Sequence, residues 1–420
     1  MKRLYIYMLL FLWGSGVVVP ATWYILTGHH AKIWGTPDEY LWQVAKLITV
    51  VIALSIIIIV FMPDLRKRTE KSLLGQRLER NTKTNVGVFY VFFLIKLIDN
   101  LWNSHKSGLT VFEWTIQGGP SGRLMGYLSI FTDLGVLMAM YLLAYKKNFK
   151  IIPFIIVYVF YTVVSGSRSG MMWALVILIG MLFCVENNVL KINLKKYIPY
   201  ILIGILLMPF LYVVSSSLRG YENYGFEYMI NQIVSRVSLL EDGGVALWKA
   251  DCGSWNESLF YEKYSLVNQF KCIVNSLMPG SVFEQDIWPN LYYRAIFLGE
   301  SIEQCRSVYC SNFLILPVYL QLKYDKALAV IVSVMLVVGL YILLALFEKY
   351  AISRICAIYI LLELFEYFDW GFVIDRFKAI VYTFVFTYFI AYPFLKTRFK
   401  FDFKPETHIR YKHKFKLRGK

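Results

Sequence analysis

A chain of 420 residues that is 58% hydrophobic, 17% aromatic and only 17% charged, with a mean hydropathy of +0.52, lies outside the averages for soluble domains. That composition excludes a soluble enzyme, a disordered protein and a classical nucleic-acid binder. The net charge of +16 does not restore a nucleic-acid partner, because three quarters of it sits in two short segments that flank apolar runs: +8 in 396–420 and +4 in 63–84. Basic residues in such places act as topology signals and contacts for anionic lipid.

The expected fold is all-α, a polytopic membrane protein. In chain order, apolar runs near the length of a bilayer crossing fall at 4–27, 41–62, 85–101, 124–145, 151–165, 170–185 and 197–216. A long segment, 218–311, follows, and then runs at 327–347, 355–369 and 379–395, which makes about ten spans. Lys2 and Arg3 precede the first run, which lacks a small-x-small cleavage site and is expected to remain as a span. Basic connectors alternate along the chain, so both termini are expected in the cytoplasm and 218–311 on the opposite face. The expected units are residues 1–217 with seven spans, the outer segment 218–311, residues 312–395 with a re-entrant or surface stretch and three spans, and a basic tail at 396–420.

The outer segment carries seven basic and eleven acidic residues and four of the six cysteines, Cys252, Cys272, Cys305 and Cys310. Their clustering predicts one or two disulfides in an oxidising compartment, with the pairing left open. Residues 312–322 are apolar but too short to span, and read as a re-entrant segment or an outer-surface helix.

Four features carry chemistry. The turn between the fifth and sixth spans reads Ser165-Gly166-Ser167-Arg168-Ser169-Gly170, and its hydroxyl groups, backbone donors and one guanidinium suit a phosphate or pyrophosphate. Arg219, just past the seventh span, is followed by Gly220 and Tyr221. Phe226, Met229, Ile230, Ile233, Val234, Val237 and Leu240 then recur at helical spacing, predicting an amphipathic helix along the outer surface with Arg236 on its flank at headgroup height. Glu241 and Asp242, followed by Gly243 and Gly244, are expected to end that helix beside the same site. Further on, Tyr292, Tyr293, Arg294 and Arg306 add cations and aromatic faces of the kind that bind sugars, together with Trp248, Trp255 and Trp288. Asp133 and the row Glu363, Glu366, Asp369 are further carboxylates within apolar runs. The sequence holds no Walker loop, dinucleotide turn, His-Glu-x-x-His or nucleophile elbow, and no metal or other cofactor is expected.

About ten spans, one dominant outer loop after the seventh, the Ser-Gly-Ser-Arg-Ser-Gly turn and the arginine just beyond the seventh span together resemble the Wzy-type O-antigen, or oligosaccharide repeat-unit, polymerases of bacteria. The hydropathy likeness covers the whole chain, and the local likeness lies in 163–171, 217–242 and 289–322. The family is also described with an arginine followed eleven positions later by glycine, whereas Ile230, Leu247 and Cys305 stand at that distance from Arg219, Arg236 and Arg294. The resemblance implies a GT-C-like glycosyltransferase of the bacterial inner membrane, acting on its periplasmic face. It transfers a growing glycan from undecaprenyl pyrophosphate to a single lipid-linked repeat unit. In that frame Arg168, Arg219 and Arg236 surround the donor pyrophosphate, and Glu241 or Asp242 accepts the acceptor's proton. Arg294, Arg306, Ser167, Tyr221, Tyr292 and Tyr293 bind substrate. Lipid-linked glycans, membrane lipids and a chain-length regulator protein are the implied partners. A ligase with the same donor and a lipid-linked oligosaccharide flippase are the competing readings.

Overall fold

The computed structural model describes residues 2–29, 35–63, 82–111, 226–277, 289–307 and 314–346, with isolated positions between them. All regular structure among the described residues is helical. Helix α1 (Lys2–Trp13) passes through a π-helical turn, Gly14–Val18, into α2 (Val19–Thr27). The combined helix ends where Gly28 takes φ of 70°, a left-handed position that a residue without Cβ adopts readily. Helix α3 (Asp38–Phe61) starts with Asp38 and Glu39, which suit the positive end of its dipole. Among the described residues, two helices are long and apolar enough to cross a membrane, Tyr5–Thr27 and α3. Helix α4 spans Thr82–Ser107.

Helices α1–α2 and α3 run antiparallel. At one end the Lys2 ammonium donates to the last carbonyls of α3, Val60 at 2.6 Å and Met62 at 2.8 Å. Midway, Trp13 Nε1 donates to Thr49 Oγ1 at 3.0 Å, and at the far end the Tyr24 hydroxyl donates to Asp38. A third apolar helix, α12 (Lys326–Leu346), packs against both, with the Tyr5 hydroxyl donating to the Val337 carbonyl and Tyr5 edge-on to Tyr341. The C-terminal half of α12 therefore lies at the Lys2 end and its start at the Asp38 end.

The segment between them is built from α5 (Phe226–Val237), α6 (Glu241–Asp251), α7 (Glu257–Lys263), α8 (Leu266–Leu277), a 3₁₀ turn at Pro289–Tyr292, α9 (Tyr293–Phe297), α10 (Ile302–Ser307) and α11 (Leu316–Lys323). It does not form a separate globule. Its buried side chains join those of α1, α3 and α12 in one core, with Val44, Ile48, Phe260, Tyr293 and Val318 all essentially inaccessible. The start of α7 is fixed by Asn256, whose Oδ1 accepts from the Leu259 amide at 3.0 Å and whose own amide donates to the Ile296 carbonyl at 2.8 Å.

Helix α5 does not lie across the end of the bundle, as its amphipathic pattern predicted. It descends beside α2, where Trp23 Nε1 donates to Asn231 Oδ1 at 3.1 Å, and the turn after it reaches Gly16. There the Leu239 amide donates to the Gly16 carbonyl at 2.9 Å. Both partners are special: the π turn re-pairs the carbonyls of the first helix, and a Cβ on Gly16 would stand 2.5 Å from Leu239 Cδ1. Gly16 lies eleven residues inside Thr27, a depth of about 16 Å at 1.5 Å per residue. Helices α5 and α6 are thus the two arms of a hairpin whose tip sits halfway down the first apolar helix.

Helix α11 and the two residues before it pack into the core. Leu314, Ile315, Leu316, Val318 and Leu320 are buried, and Val318 lies against Gly243 of α6. From that depth α11 rises to Lys323, and the chain turns at Tyr324 and Asp325 into α12. The expected spans at 4–27, 41–62 and 327–347 coincide with α1–α2, α3 and α12, and 85–101 falls within α4. The other expected spans lie outside the described residues.

Candidate functional site

The carboxylates expected to end a helix instead begin one. Glu241 and Asp242 occupy the first turn of α6, where the unpaired amides of a helix start favour negative charge. Gly243 and Gly244 do not stop the helix either; they let it approach its neighbours. A Cβ on Gly243 would meet Val318 Cγ2 and Val44 Cγ1 at 3.1 Å, and one on Gly244 would meet Leu41 Cδ2 at 2.8 Å. Sequence alone reads Glu-Asp-Gly-Gly as a terminator because glycine is a poor helix former; close packing on α3 and α11 overrides that preference.

Both carboxylates are buried, Glu241 at 4% and Asp242 at 7% exposure. Gly243 places them near the level of Val44, six residues or about 9 Å along α3 from Asp38. Burying two adjacent acids away from bulk water is unfavourable, so the surroundings must answer them. Tyr293, wholly inaccessible at the start of α9, donates its hydroxyl to the backbone carbonyl of Asp242 and so ties α9 to the first turn of α6, without touching either carboxylate through that bond. Burial, reinforced by the charges of Asp242 and Glu241, pushes the Tyr293 hydroxyl well above its usual range, which keeps it a proton donor.

Arg294 follows on the same helix and forms an ion pair with Glu300, both side chains about three-quarters buried. The guanidinium expected to assist a pyrophosphate therefore has a carboxylate partner in this structure. Cys305 lies behind this pair; burial, with help from the Glu300 charge, raises its thiol pKa above the usual value. Tyr292 is buried, with the Lys263 ammonium 4.5 Å from its ring centre. Neither Tyr292 nor Tyr293 offers an open ring face to a sugar. Trp255 is likewise engaged, stacked on Phe297 with centroids 5.7 Å apart, and Lys249 lies over Trp248.

The structure brings Glu241, Asp242, Tyr293 and Arg294 into one region, because α6 packs on α9. Arg236 belongs to α5, with its backbone between Asn231 and Leu239, so it stands deeper than Trp23 rather than at the end of the bundle. The backbone of Arg306 is in α10. The side chains of Arg236 and Arg306, together with Ser167, Arg168, Arg219 and Tyr221, lie outside the described residues, as do Asp133, Glu363, Glu366 and Asp369.

The expected disulfides are not formed among the three described cysteines. Cys252 is an exposed thiol at the end of α6, whereas Cys305 and Cys272 are buried in α10 and α8, and no disulfide joins any two of these three; Cys310 lies outside the described residues. A polar face on α4 was also overlooked. Asn100 and Ser104 are buried, and Asn103 Nδ2 donates to Asp99 Oδ1 at 2.9 Å. The four-residue spacings in Asp99-Asn100-x-x-Asn103-Ser104 are legible in the sequence and mark one side of the helix.

Fold and site together define an all-helical chain, among its described residues, with membrane-type helices and a buried acid pair carried between them on a hairpin. No family model matches the chain, and neither a curated protein nor a solved structure matches it.

Proposed function

We propose that this protein is a membrane glycosyltransferase that polymerises undecaprenyl-pyrophosphate-linked oligosaccharide repeat units into O-antigen or a related surface polysaccharide. The observation that carries the reading is the position of Glu241 and Asp242: two buried carboxylates held deep between apolar helices, at the end of the bundle away from Lys2. An ionisable pair retained at such depth marks chemistry on a substrate that is itself anchored in lipid. With the Lys2 end cytoplasmic, as the basic connectors require, the pair faces the periplasmic side, where the lipid-linked repeat unit is displayed.

The reaction needs an acceptor hydroxyl to attack the anomeric carbon of the donor glycan while the bond from that carbon to the pyrophosphate oxygen breaks. The hydroxyl proton passes to a carboxylate, Glu241 or Asp242. Negative charge grows on the departing lipid pyrophosphate and is stabilised by Arg168, Arg219 and Arg236. The pyrophosphate linkage is already activated, so no nucleotide takes part in the step. Tyr293, by donating to the Asp242 carbonyl, fixes the first turn of α6 and with it the direction of both acids.

A second reading has its own support. The interrupted first helix, the inserted hairpin and the buried acid pair are also the materials of an ion-coupled transporter for lipid-linked oligosaccharides. One experiment separates them. A deletion strain complemented with the wild-type chain or with Arg219→Ala, Arg236→Ala or Glu241→Gln is examined for its lipopolysaccharide ladder. Core bearing a single repeat unit, with full-length variant protein still in the membrane, is the polymerase result. Core bearing none selects the flippase or the ligase, and normal long chains from all three variants remove the mechanism.

A further inference from the structure

Helix α8 is amphipathic the wrong way round for a helix facing water. Advancing 100° per residue, Leu266, Val267, Phe270, Ile273 and Val274 share one side, and Asn268, Gln269, Cys272 and Asn275 the other. The polar side is the one turned inward. Asn268 is 9% exposed and donates from Nδ2 to the Lys263 carbonyl at 2.6 Å; Gln269 is 4% exposed and Cys272 is fully buried. The apolar side is open, with Leu266 at 77%, Val267 at 67% and Phe270 at 62% exposure. An arrangement that hides amides and displays Leu, Val and Phe is stable only where the outside is itself apolar.

The position of the helix says what that outside is. Just ahead of α8, the Tyr264 carbonyl accepts from the Tyr319 hydroxyl at 3.1 Å, and Phe260 stacks on Tyr264 and leans on Tyr319. Tyr319 lies one turn before Lys323, where α11 hands over to α12, so the residues just ahead of α8 are tied to the last turn of α11, close to where an apolar helix begins. At that same end α12 shows Leu328, Ile331 and Met335 to the surroundings, and α2 shows Ile25 and Leu26. The apolar face of α8 is exposed on a segment tied to this end of the bundle. Tyr261, 44% exposed, lies one turn before α8, and Lys271 sits on the flank of the helix over Phe283, an arrangement of aromatic and basic groups that suits a headgroup layer.

We propose that α8 is an interfacial helix, with Leu266, Val267 and Phe270 inserted into the acyl-chain boundary of the outer leaflet. It anchors the 226–307 segment against the bilayer from its own side. The proposal rests on α1–α3 and α12 being embedded in a bilayer, and is independent of the glycosyl-transfer reading.

The test is photocrosslinking in the full-length protein reconstituted in phosphatidylethanolamine–phosphatidylglycerol vesicles, with p-benzoylphenylalanine replacing Phe270 and, separately, Val267. Leu26 serves as a lipid-facing reference and Glu257, exposed on α7, as a water-facing one. Phospholipid adducts at 267 and 270 in yields close to those at 26 and several-fold above those at 257 are expected. Yields at 267 and 270 no higher than at 257, or adducts to a second copy of the chain, overturn the assignment of α8 while leaving the bilayer reading intact. Absence of lipid adducts at 26 as well overturns both.

Discussion

Gly243 offers the sharpest test of how α6 is held. An added Cβ would stand 3.1 Å from Val318 Cγ2 and 3.1 and 3.2 Å from the two methyl groups of Val44. Both valines are completely buried and both are helical, where a β-branched side chain has essentially one χ1 rotamer, so neither can turn aside. The strain must move α6 away from α3 and α11. Overpacking of this kind costs about 1–3 kcal/mol, against a helix-propensity gain below about 1 kcal/mol because Gly243 lies in the first turn. Gly243→Ala should therefore be destabilised by about 1–2 kcal/mol, lowering the thermal midpoint of the detergent-purified protein by about 1–2 °C. Gly244→Ala has a shorter nearest contact, 2.8 Å, yet it should lose less, because that contact is Leu41 Cδ2 at the end of a flexible side chain. Gly339→Ala in α12 meets nothing within 4 Å and should be neutral or gain up to about 1 kcal/mol. Fluorescence-detected size-exclusion melting of the three variants checks the order. A Gly243→Ala protein as stable as wild type, or less damaged than Gly244→Ala, would refute the packing argument.

Tyr293→Phe removes one buried hydrogen bond and should lose about 0.5–1.5 kcal/mol, while Tyr293→Ala also leaves a cavity and should lose about 3–5 kcal/mol, both read by the same melting assay. The folded Tyr293 hydroxyl holds its proton more tightly than an ordinary tyrosine near 10, so its contribution is complete below that pH and is lost as pH rises above it; Tyr293→Phe should show a shallower alkaline decline than wild type. An impermeant maleimide should label Cys252 rapidly and Cys305 hardly at all at neutral pH, since Cys305 is both buried and poor in thiolate; peptide mapping after labelling distinguishes them, and equal labelling would contradict the placement of α10. Lys2→Gln keeps a donor but loses the charge at the C-terminal carbonyls of α3, and should lower the melting midpoint by the equivalent of about 0.3–1 kcal/mol.

The helices were legible where one property decides them. Runs such as 47–61 carry only Thr49 and Ser55 among apolar residues, and hydrophobicity alone sets both their existence and their length. The course of α5 was not legible, because an amphipathic stripe reports that one face is covered without saying by what. The tip's seat is coded in Gly14-Ser15-Gly16, more than two hundred residues earlier, and only the fold joins the two. Glu241 and Asp242 stand side by side in the sequence, but their place at a helix start rather than an end turned on glycines that serve contact instead of termination. The aromatic residues near the acids read as open platforms because composition cannot distinguish a ring at a surface from one stacked on Phe297 or capped by Lys263. The inverted face of α8 was available from spacing alone; what identified it was learning that its amides point inward.

The backbone bond from Leu239 to Gly16 also has a bearing on how the protein is made. In the membrane reading proposed above, the translocon would release the first helix long before the ribosome reaches the partner that fills its notch. Until then that helix must wait in the lipid with an irregular turn and an unfilled side. Final shape is then acquired in a late docking event, after insertion is over, and a nascent chain stopped short of α5 would be held in the membrane with its most distinctive surface unsatisfied, a form that quality-control proteases are equipped to find.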